Sequence, residues 1–561
     1  MGRARQLAIM AGIIAACAAA TVFAQVPAVT VPGSADAARV VPQATVATPP
    51  MPRSFEVPKL PTGPKAPSDA KDVHFVLKSV RIEGMSAFTT EDVEGFYAPM
   101  IGNDITLDRV WALAERITAH YREHRFFLSR AYVPKQEITD GTVIIRVVEG
   151  YVGTVSFDTN LRGTPIADAL ARSLTSTKPL KVEDLESFML RLNGMPGIAR
   201  FGVLTPLKST NQGAVELVIE QGTPKNTTSI AVDNHGSRFL GPYQATASHK
   251  AVLIEGQETT LTVSSSIPHK ELGYVSLKHR VPLAPKWDAF GSVGYVRARP
   301  GATLEANDIR SNSIDATLGL VYTPIRQWEQ NLDFTFLLDG KNSQSDILRD
   351  VPLTRDRVRA LRTTAHYDVT DGWQGGHSAS LTLSRGLDFL GATDRSDPLI
   401  SRAEASPNFT KAEFSYAQQR RVWGEFLLAG AMSGQYASGP LFSSEEFGYG
   451  GPVFGRAYDP SDIIGDHGIA GSLELRYAGF APWNDLLFAP YLFGDAGKVW
   501  NEDAGIDPES GTSAGFGLRM SHISGVSGDL GLAWPLTRTL TTPVYGSNTG
   551  PRILLQMQVG F

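Results

Sequence analysis

The chain closes on RILLQMQVGF, residues 552–561. Ile553, Leu555, Met557, Val559 and Phe561 fall on one side of an extended chain; Leu554, Gln556, Gln558 and Gly560 fall on the other. Successive strand side chains point to opposite faces, so an apolar face here backs a largely polar one. GSLELRY (471–477) alternates likewise, Leu473, Leu475 and Tyr477 against Ser472, Glu474 and Arg476. From about Thr227 to Phe561 such segments of about ten residues follow one another, bounded by Gly, Pro, Asn or Asp. A soluble sheet alternates too, but it needs a covering layer, and no helical period in this half supplies one. If the apolar face meets lipid, the sheet must close, because an open edge has no hydrogen-bond partners in hydrocarbon. About sixteen segments predict an even-stranded, antiparallel membrane β-barrel over 227–561.

Composition agrees. Charged residues are 19% of the 561, below the usual quarter or so, and glycines number 54. After the N-terminus no apolar run is long enough for a membrane helix. A net charge of −5 argues against a nucleic-acid partner. At the N-terminus, Arg3 and Arg5 precede the apolar stretch Leu7–Ala20, and Val22-Phe23-Ala24 makes a peptidase site. This predicts a signal peptide over 1–24; a retained anchor helix and a lipoprotein box at Ile14–Cys17 are the alternatives. Cys17 is the only cysteine, so the mature chain has neither disulfides nor thiol chemistry.

Residues 25–72 are rich in Pro and Ala and read as a tether. Ser34–Val41 has room for two helical turns between Pro32 and Pro42. Two copies of one small α/β unit follow, over 73–150 and 151–222. In the first, HFVLKSVRIEG predicts a strand, and Leu107, Val110, Trp111, Ala114, Ile117 and Tyr121 share a helix face. The repeat shows in DGTVIIRVVEG (Asp140–Gly150) against QGAVELVIEQG (Gln212–Gly222), 72 residues apart.

Catalytic motifs are scarce. Gly511-Thr512-Ser513-Ala514-Gly515 matches a hydrolase elbow in letters, but a loop precedes it and a strand follows, the wrong context for a nucleophile. There is no H-E-x-x-H, Walker A or cysteine cluster, so no enzyme, cofactor or metal is expected. Two other stretches draw attention. YGGPVFGRAYDPSD (449–462) puts Arg456 in a long loop near 438–468, among segments that read as membrane strands. In PYLFGDAGKVW (490–500), Tyr491, Phe493, Asp495, Gly497 and Val499 share one face. An aspartate facing lipid is expensive, so this face should be lumenal, with Gly497 leaving room for packing. A loop folded into the lumen would let Arg456 pair with Asp495; the alternative is two separately solvated lumen charges.

At these residues the chain resembles the TpsB transporters of two-partner secretion, the haemolysin and filamentous-haemagglutinin exporters. The resemblance rests on the signal, the tether, two POTRA-type units, the barrel and the terminal Phe561. It implies that Phe454, Gly455, Arg456, Ala457 and Tyr458 form the tip of an inward-folded loop. It also implies a barrel-wall motif of Phe493, Asp495 and Gly497, with Asp495 holding Arg456. Gly465, Asp466, His467, Gly468 and Glu474 fit the sequel to the loop, and Phe561 the barrel assembly signal. Ala457 departs from the family glycine, so positive φ there would be strained, with Gly455 the alternative bearer. The prolines of the tether leave no room for a plug helix of some twenty residues.

The implied function is export, without ATP, of an unfolded partner exoprotein that folds as a β-helix outside. POTRA units in the periplasm of a Gram-negative cell would capture it, the barrel lying in outer-membrane lipid after insertion by the barrel assembly machinery. An assembly factor for other barrels and a passive porin are the rival readings.

Overall fold

In a computed structural model, the structure describes residues 31–40, 66–157, 164–195, 200–206, 213–221, 226–540 (except 255, 374, 484 and 504) and 547–561. The stretch 1–24 and most of the tether lie outside these residues.

The first α/β unit builds a three-stranded sheet in the order Ser79–Glu83, Thr142–Val148, Arg130–Tyr132. Helices Thr90–Tyr97 and Leu107–Glu123 cover it. HFVLKSVRIEG is two strands rather than one. His74–Val76 pairs antiparallel with Asp104–Thr106, and Ser79–Glu83 pairs parallel with Thr142–Val148. The break has a cause: the Leu77 N–H goes to Asn103 O (3.1 Å) and the Lys78 N–H to Gly141 O (2.8 Å), so the chain changes partner here. Val110, Leu113, Ala114, Ile117 and Tyr121 form the buried helix face. Trp111 is only partly buried against that core. The second unit repeats the order, with sheet Tyr151–Phe157, Ala214–Gln221, Arg200–Pro206 and helices Pro165–Ser176 and Val182–Asn193. Its core gathers Leu170, Leu174, Leu185, Phe188, Leu192, Leu217 and Ile219.

Sixteen antiparallel spans close into a barrel, with Phe480–Trp483 as a short extra strand on Leu486–Trp500. First strand Thr227–Asp233 meets last strand Arg552–Gly560 from Ser229 opposite Gly560 to Asp233 opposite Gln556. Ile553, Leu555 and Met557 are exposed on the outer wall, whereas Leu554 is buried inside. Trp287 stacks on Tyr322 with ring centres 4.7 Å apart, and Trp423 meets Phe426 at 4.6 Å. These rings mark the end of the barrel beside the α/β units, as in the interfacial girdles of membrane barrels.

The second unit docks onto that end. Arg191 donates to Pro285 O (2.9 Å), Thr323 O (2.9 Å) and Pro324 O (3.3 Å), carbonyls at two barrel turns.

Residues 32–40 are not free tether. They form two one-turn 3₁₀ helices, Gly33–Ala35 and Ala37–Arg39, on the inner side of the barrel. Ala37 packs with Leu240, Leu272, Val296 and Ala298. Lys341 Nζ donates to Ala38 O (2.9 Å), Ser237 Oγ to Ser34 O (2.5 Å), and Arg39 to Ser443 O (2.5 Å) and Glu446 O (3.0 Å). The prolines that preclude a long helix are compatible with this compact form, which needs only single-turn bonds.

Candidate functional site

The loop between spans Phe426–Ala437 and His467–Tyr477 turns into the barrel. Its arms Phe447–Tyr449 and Ile463–Gly465 pair as a small hairpin, which carries the tip between them. Tyr449 seats the hairpin, buried to 1% exposure. A Cβ added at Gly497 would lie 2.2 Å from its ring, at Gly455 2.7 Å and at Gly511 2.9 Å. Three glycines on three segments thus form a socket for one aromatic ring. Gly511 of the elbow-like pentapeptide belongs to it. Ser513, mid-strand in Glu509–His522, donates to Asp495 Oδ2 (3.1 Å).

The tip turn places positive φ on Gly455 (+77°), and Ala457 lies outside the positive-φ region. The Tyr458 N–H closes the turn onto Gly455 O at 2.8 Å. Ala457 is buried to 1%, and Phe454 is half-buried beside the same cluster. Glycine freedom is therefore needed one step before Arg456 rather than one step after it.

Arg456 is 8% exposed and sits over the inner wall. Its Nη1 donates to Glu474 Oε2 (3.1 Å) and its Nη2 to Ser472 Oγ (2.9 Å). The guanidinium carbon lies 3.9 Å from the centre of the Phe493 ring, a cation–π contact. Toward Asp495 the guanidinium makes only a 3.6 Å ion-pair contact through Nε. Asp495 Oδ2 instead accepts the backbone N–H of Arg456 at 3.0 Å. The direct side-chain hydrogen bond expected between the two is thus divided. Asp495 fixes the backbone at the tip, while Glu474 and Ser472 take the guanidinium.

Glu474 is a hub. It also accepts from Arg476 Nη2 (2.7 Å) and from Arg519 Nη1 (2.5 Å) and Nη2 (3.1 Å). Arg519 Nε continues to Asp529 Oδ2 (2.9 Å), whose other oxygen takes the Tyr491 hydroxyl (2.7 Å). Arg456, Arg476 and Arg519 therefore face Glu474, Asp495 and Asp529, a charge-balanced network across four neighbouring spans. Alternation puts Glu474 and Arg476 on one face of their strand; the same count on Arg519 and Asp529 was the signal for the rest of this network.

A second anchor escaped the sequence reading. Asp459, 1% exposed, accepts from Arg238 Nε (2.5 Å) and Arg552 Nη1 (3.0 Å). Arg552 opens the last strand and also donates to Tyr458 O (2.7 Å), while the Tyr458 hydroxyl reaches Thr512 O (2.9 Å). The tip is thereby tied to the seam where the barrel closes. Further out, Asp466 accepts from Arg402 at 2.5 and 3.1 Å and from the Leu441 N–H at 2.8 Å. Gly465 lies against the Trp500 backbone, and Gly468 faces the Phe447 ring. His467 is in reach of Glu502, with Nε2 to Oε1 2.8 Å. Phe561 stands apart from this site, 71% exposed beyond the last strand, its backbone paired with Thr228.

A model of the ShlB-type POTRA domain matches residues 75–150, and one of the haemolysin secretion/activation proteins ShlB/FhaC/HecB matches 212–520. The heme/hemopexin transporter protein HuxB of Haemophilus influenzae is 27% identical over 199 residues, covering 34% of this chain and 35% of HuxB. The chain thus matches about a third of the length of this curated relative. The outer membrane transporter CdiB of Dickeya dadantii is 20% identical over 424 residues, 72% of each chain. Among solved structures, CdiB from Escherichia coli aligns with a TM-score of 0.69 at 17% identity, covering 89% of this chain and 93% of that one. CdiB from Acinetobacter baumannii aligns at 0.60 and 14% identity, covering 92% and 95%.

Proposed function

The chain belongs to the haemolysin secretion/activation protein family ShlB/FhaC/HecB, outer-membrane barrels with periplasmic POTRA domains, and on that premise we propose that it exports a partner protein across the outer membrane. The carrying observation is a conjunction within one chain. Two small sheets, each with an edge strand that pairs with no further strand among the described residues, stand before a barrel whose polar interior holds a folded-in loop.

The partner arrives unfolded. Its extended backbone adds to a sheet edge, Ser79–Glu83 in the first unit, where the opposite edge is capped by Thr118 bonding Ala131, and Tyr151–Phe157 or Arg200–Pro206 in the second. Main-chain hydrogen bonds provide affinity with little sequence demand, and alternate side chains pack on the neighbouring helix. With no nucleotide motif in the sequence, transport draws its free energy from the partner folding outside, as a β-helix. The network around Glu474 and Asp495 holds the loop against the wall, which sets the width and polarity of the path. Phe561 acts earlier, as the signal read by the barrel assembly machinery.

Secretion by whole cells tests this reading. Deleting residues 73–222 should leave an inserted, heat-modifiable barrel that secretes no partner. A passive porin would keep its conductance and function after that deletion. An assembly factor would differ again: its depletion would lower many outer-membrane proteins, where loss of an exporter lowers only the partner. Undiminished secretion by the deletion variant refutes the proposal.

A further inference from the structure

The outer wall of the barrel carries a row of arginines that the lumen chemistry does not use. The α/β units precede the first span, so Val351–Thr370, the eighth, runs back toward them and its Val351 end is extracellular. Every second side chain of this strand faces outward. From the periplasmic end these are Tyr367, Ala365, Thr363 and Leu361, then Arg359, Arg357 and Arg355. The intervening Asp356, Val358 and Ala360 are buried. Leu361 lies opposite Leu338 on one neighbouring strand and Arg385 on the other. Leu338, Leu361 and Leu383 are exposed in the lipid-facing band.

A membrane-crossing strand uses about 9–11 residues. Counted from Tyr367, that length ends between Arg359 and Arg357. The basic row therefore begins where the apolar band stops, at the head-group level of the outer leaflet.

Internal partners do not consume this charge. Arg359 donates to Asn342 Oδ1 (2.8 Å) and to backbone oxygens of Leu390 (3.2 Å), Lys341 (3.2 Å) and Val358 (2.8 Å). Arg385 donates to Thr410 Oγ1 (2.6 Å). Arg355 meets Asp346 only at 3.9 Å, and Arg357 makes no side-chain hydrogen bond or ion pair among the described residues. Like charges in a row repel, so the row favours an anion between them. Next to it stands an exposed apolar pair, Phe389 (51%) and Leu390 (63%). Guanidinium groups beside apolar tips suit a ligand that is both phosphorylated and acylated.

We propose that Arg355, Arg357, Arg359 and Arg385, flanked by Phe389 and Leu390, form a binding site for the phosphates of the outer leaflet's phosphorylated glycolipid. Guanidinium forks grip phosphate oxygens in pairs, and the apolar pair lies against the acyl region. The site would orient the barrel in its leaflet and is independent of the export reading.

The test titrates delipidated full-length protein in neutral detergent with diphosphoryl lipid A, read by native mass spectrometry. The triple variant Arg355→Gln, Arg357→Gln, Arg359→Gln should bind at least about tenfold more weakly, with unchanged heat-modifiable mobility. Should the triple variant not assemble, Arg357→Gln alone, which breaks no side-chain hydrogen bond or ion pair among the described residues, should weaken binding in the same direction. Lipid A stripped of its phosphates should bind wild type no better than it binds the variant. Equal affinity of wild type and variant overturns the proposal. Competition by phosphatidylglycerol or inorganic phosphate at equal concentration overturns the assignment to the glycolipid. Binding of polyglutamate without binding of lipid A would make the row a protein-contact surface and overturn it too.

Discussion

Gly455 and Arg456 carry different parts of the loop's work. A Cβ at 455 would strike the Tyr449 ring at 2.7 Å, and an L residue at φ +77° is strained besides. Gly455→Ala should therefore cost about 1–3 kcal/mol and displace Tyr449 from its socket. A lowered unfolding temperature and new protease cleavage near 449–458 would show it; an unchanged digest would refute it. At Arg456, Ala leaves Glu474 and Asp495 short of a cation, at a cost of about 3 kcal/mol. Lysine restores charge but not the fork that reaches Glu474 and Ser472 while stacking on Phe493. Arg456→Ala and Arg456→Lys should both insert normally and both secrete poorly. Wild-type secretion by the Lys variant would show that charge alone suffices. Here the period of two assigned faces well: it separates Phe493, Asp495 and Gly497 from Leu492, Gly494 and Ala496. It could not say which carboxylate takes the guanidinium. Glu474 and Asp495 are neighbours across a strand pair, and a single strand's pattern carries no information about its partner's register.

Among the elements, the first α/β unit has an acid-sensitive clasp. Burial pushes the Glu149 carboxyl up, but hydrogen bonds from Ser86 side chain and backbone, the Ala87 N–H and the Tyr121 hydroxyl outweigh it, holding it below the ordinary range. A depressed folded value adds stability that is complete above the unfolded value of about 4.3 and is lost as pH falls through the folded one. Glu149→Gln should therefore flatten the acid limb of this unit's unfolding curve below the unfolded value of about pH 4.3, measured by hydrogen exchange. Parallel acid limbs in variant and wild type would refute it. Arg191 plays the corresponding part between the second unit and the barrel. Arg191→Ala strands turn carbonyls at Pro285 and Thr323, so amide exchange at both turns should quicken while the barrel core stays protected. The repeat of the two units was plain from DGTVIIRVVEG and QGAVELVIEQG. The split of HFVLKSVRIEG shows in the sequence only as a slip of phase, Phe75 and Leu77 on odd positions and Val80 and Ile82 on even ones, and the change of hydrogen-bond partner that causes it is visible only in the fold.

In the whole molecule, the barrel interior is crowded by two chain segments of distant origin, the loop around Arg456 and residues 32–40. Its contacts with the barrel bridge long sequence separations, as from Lys341 to Ala38. Deleting 32–40 should raise single-channel conductance in planar bilayers; an unchanged conductance would mean the segment leaves the lumen in the membrane. The closed sixteen-span barrel was determined by the sequence alone. Alternating polarity in segments of membrane-crossing length, without helices to cover them, admits only a sheet that removes its own edges. The tertiary structure alone decided what fills it. A proline-rich stretch reads as tether by composition, yet Ala37 and Arg39 find a pocket and acceptors supplied by residues more than 200 and more than 400 positions away respectively. Periodicity reports which face a residue takes, because that is local backbone geometry; which residue it meets is fixed only when the barrel closes.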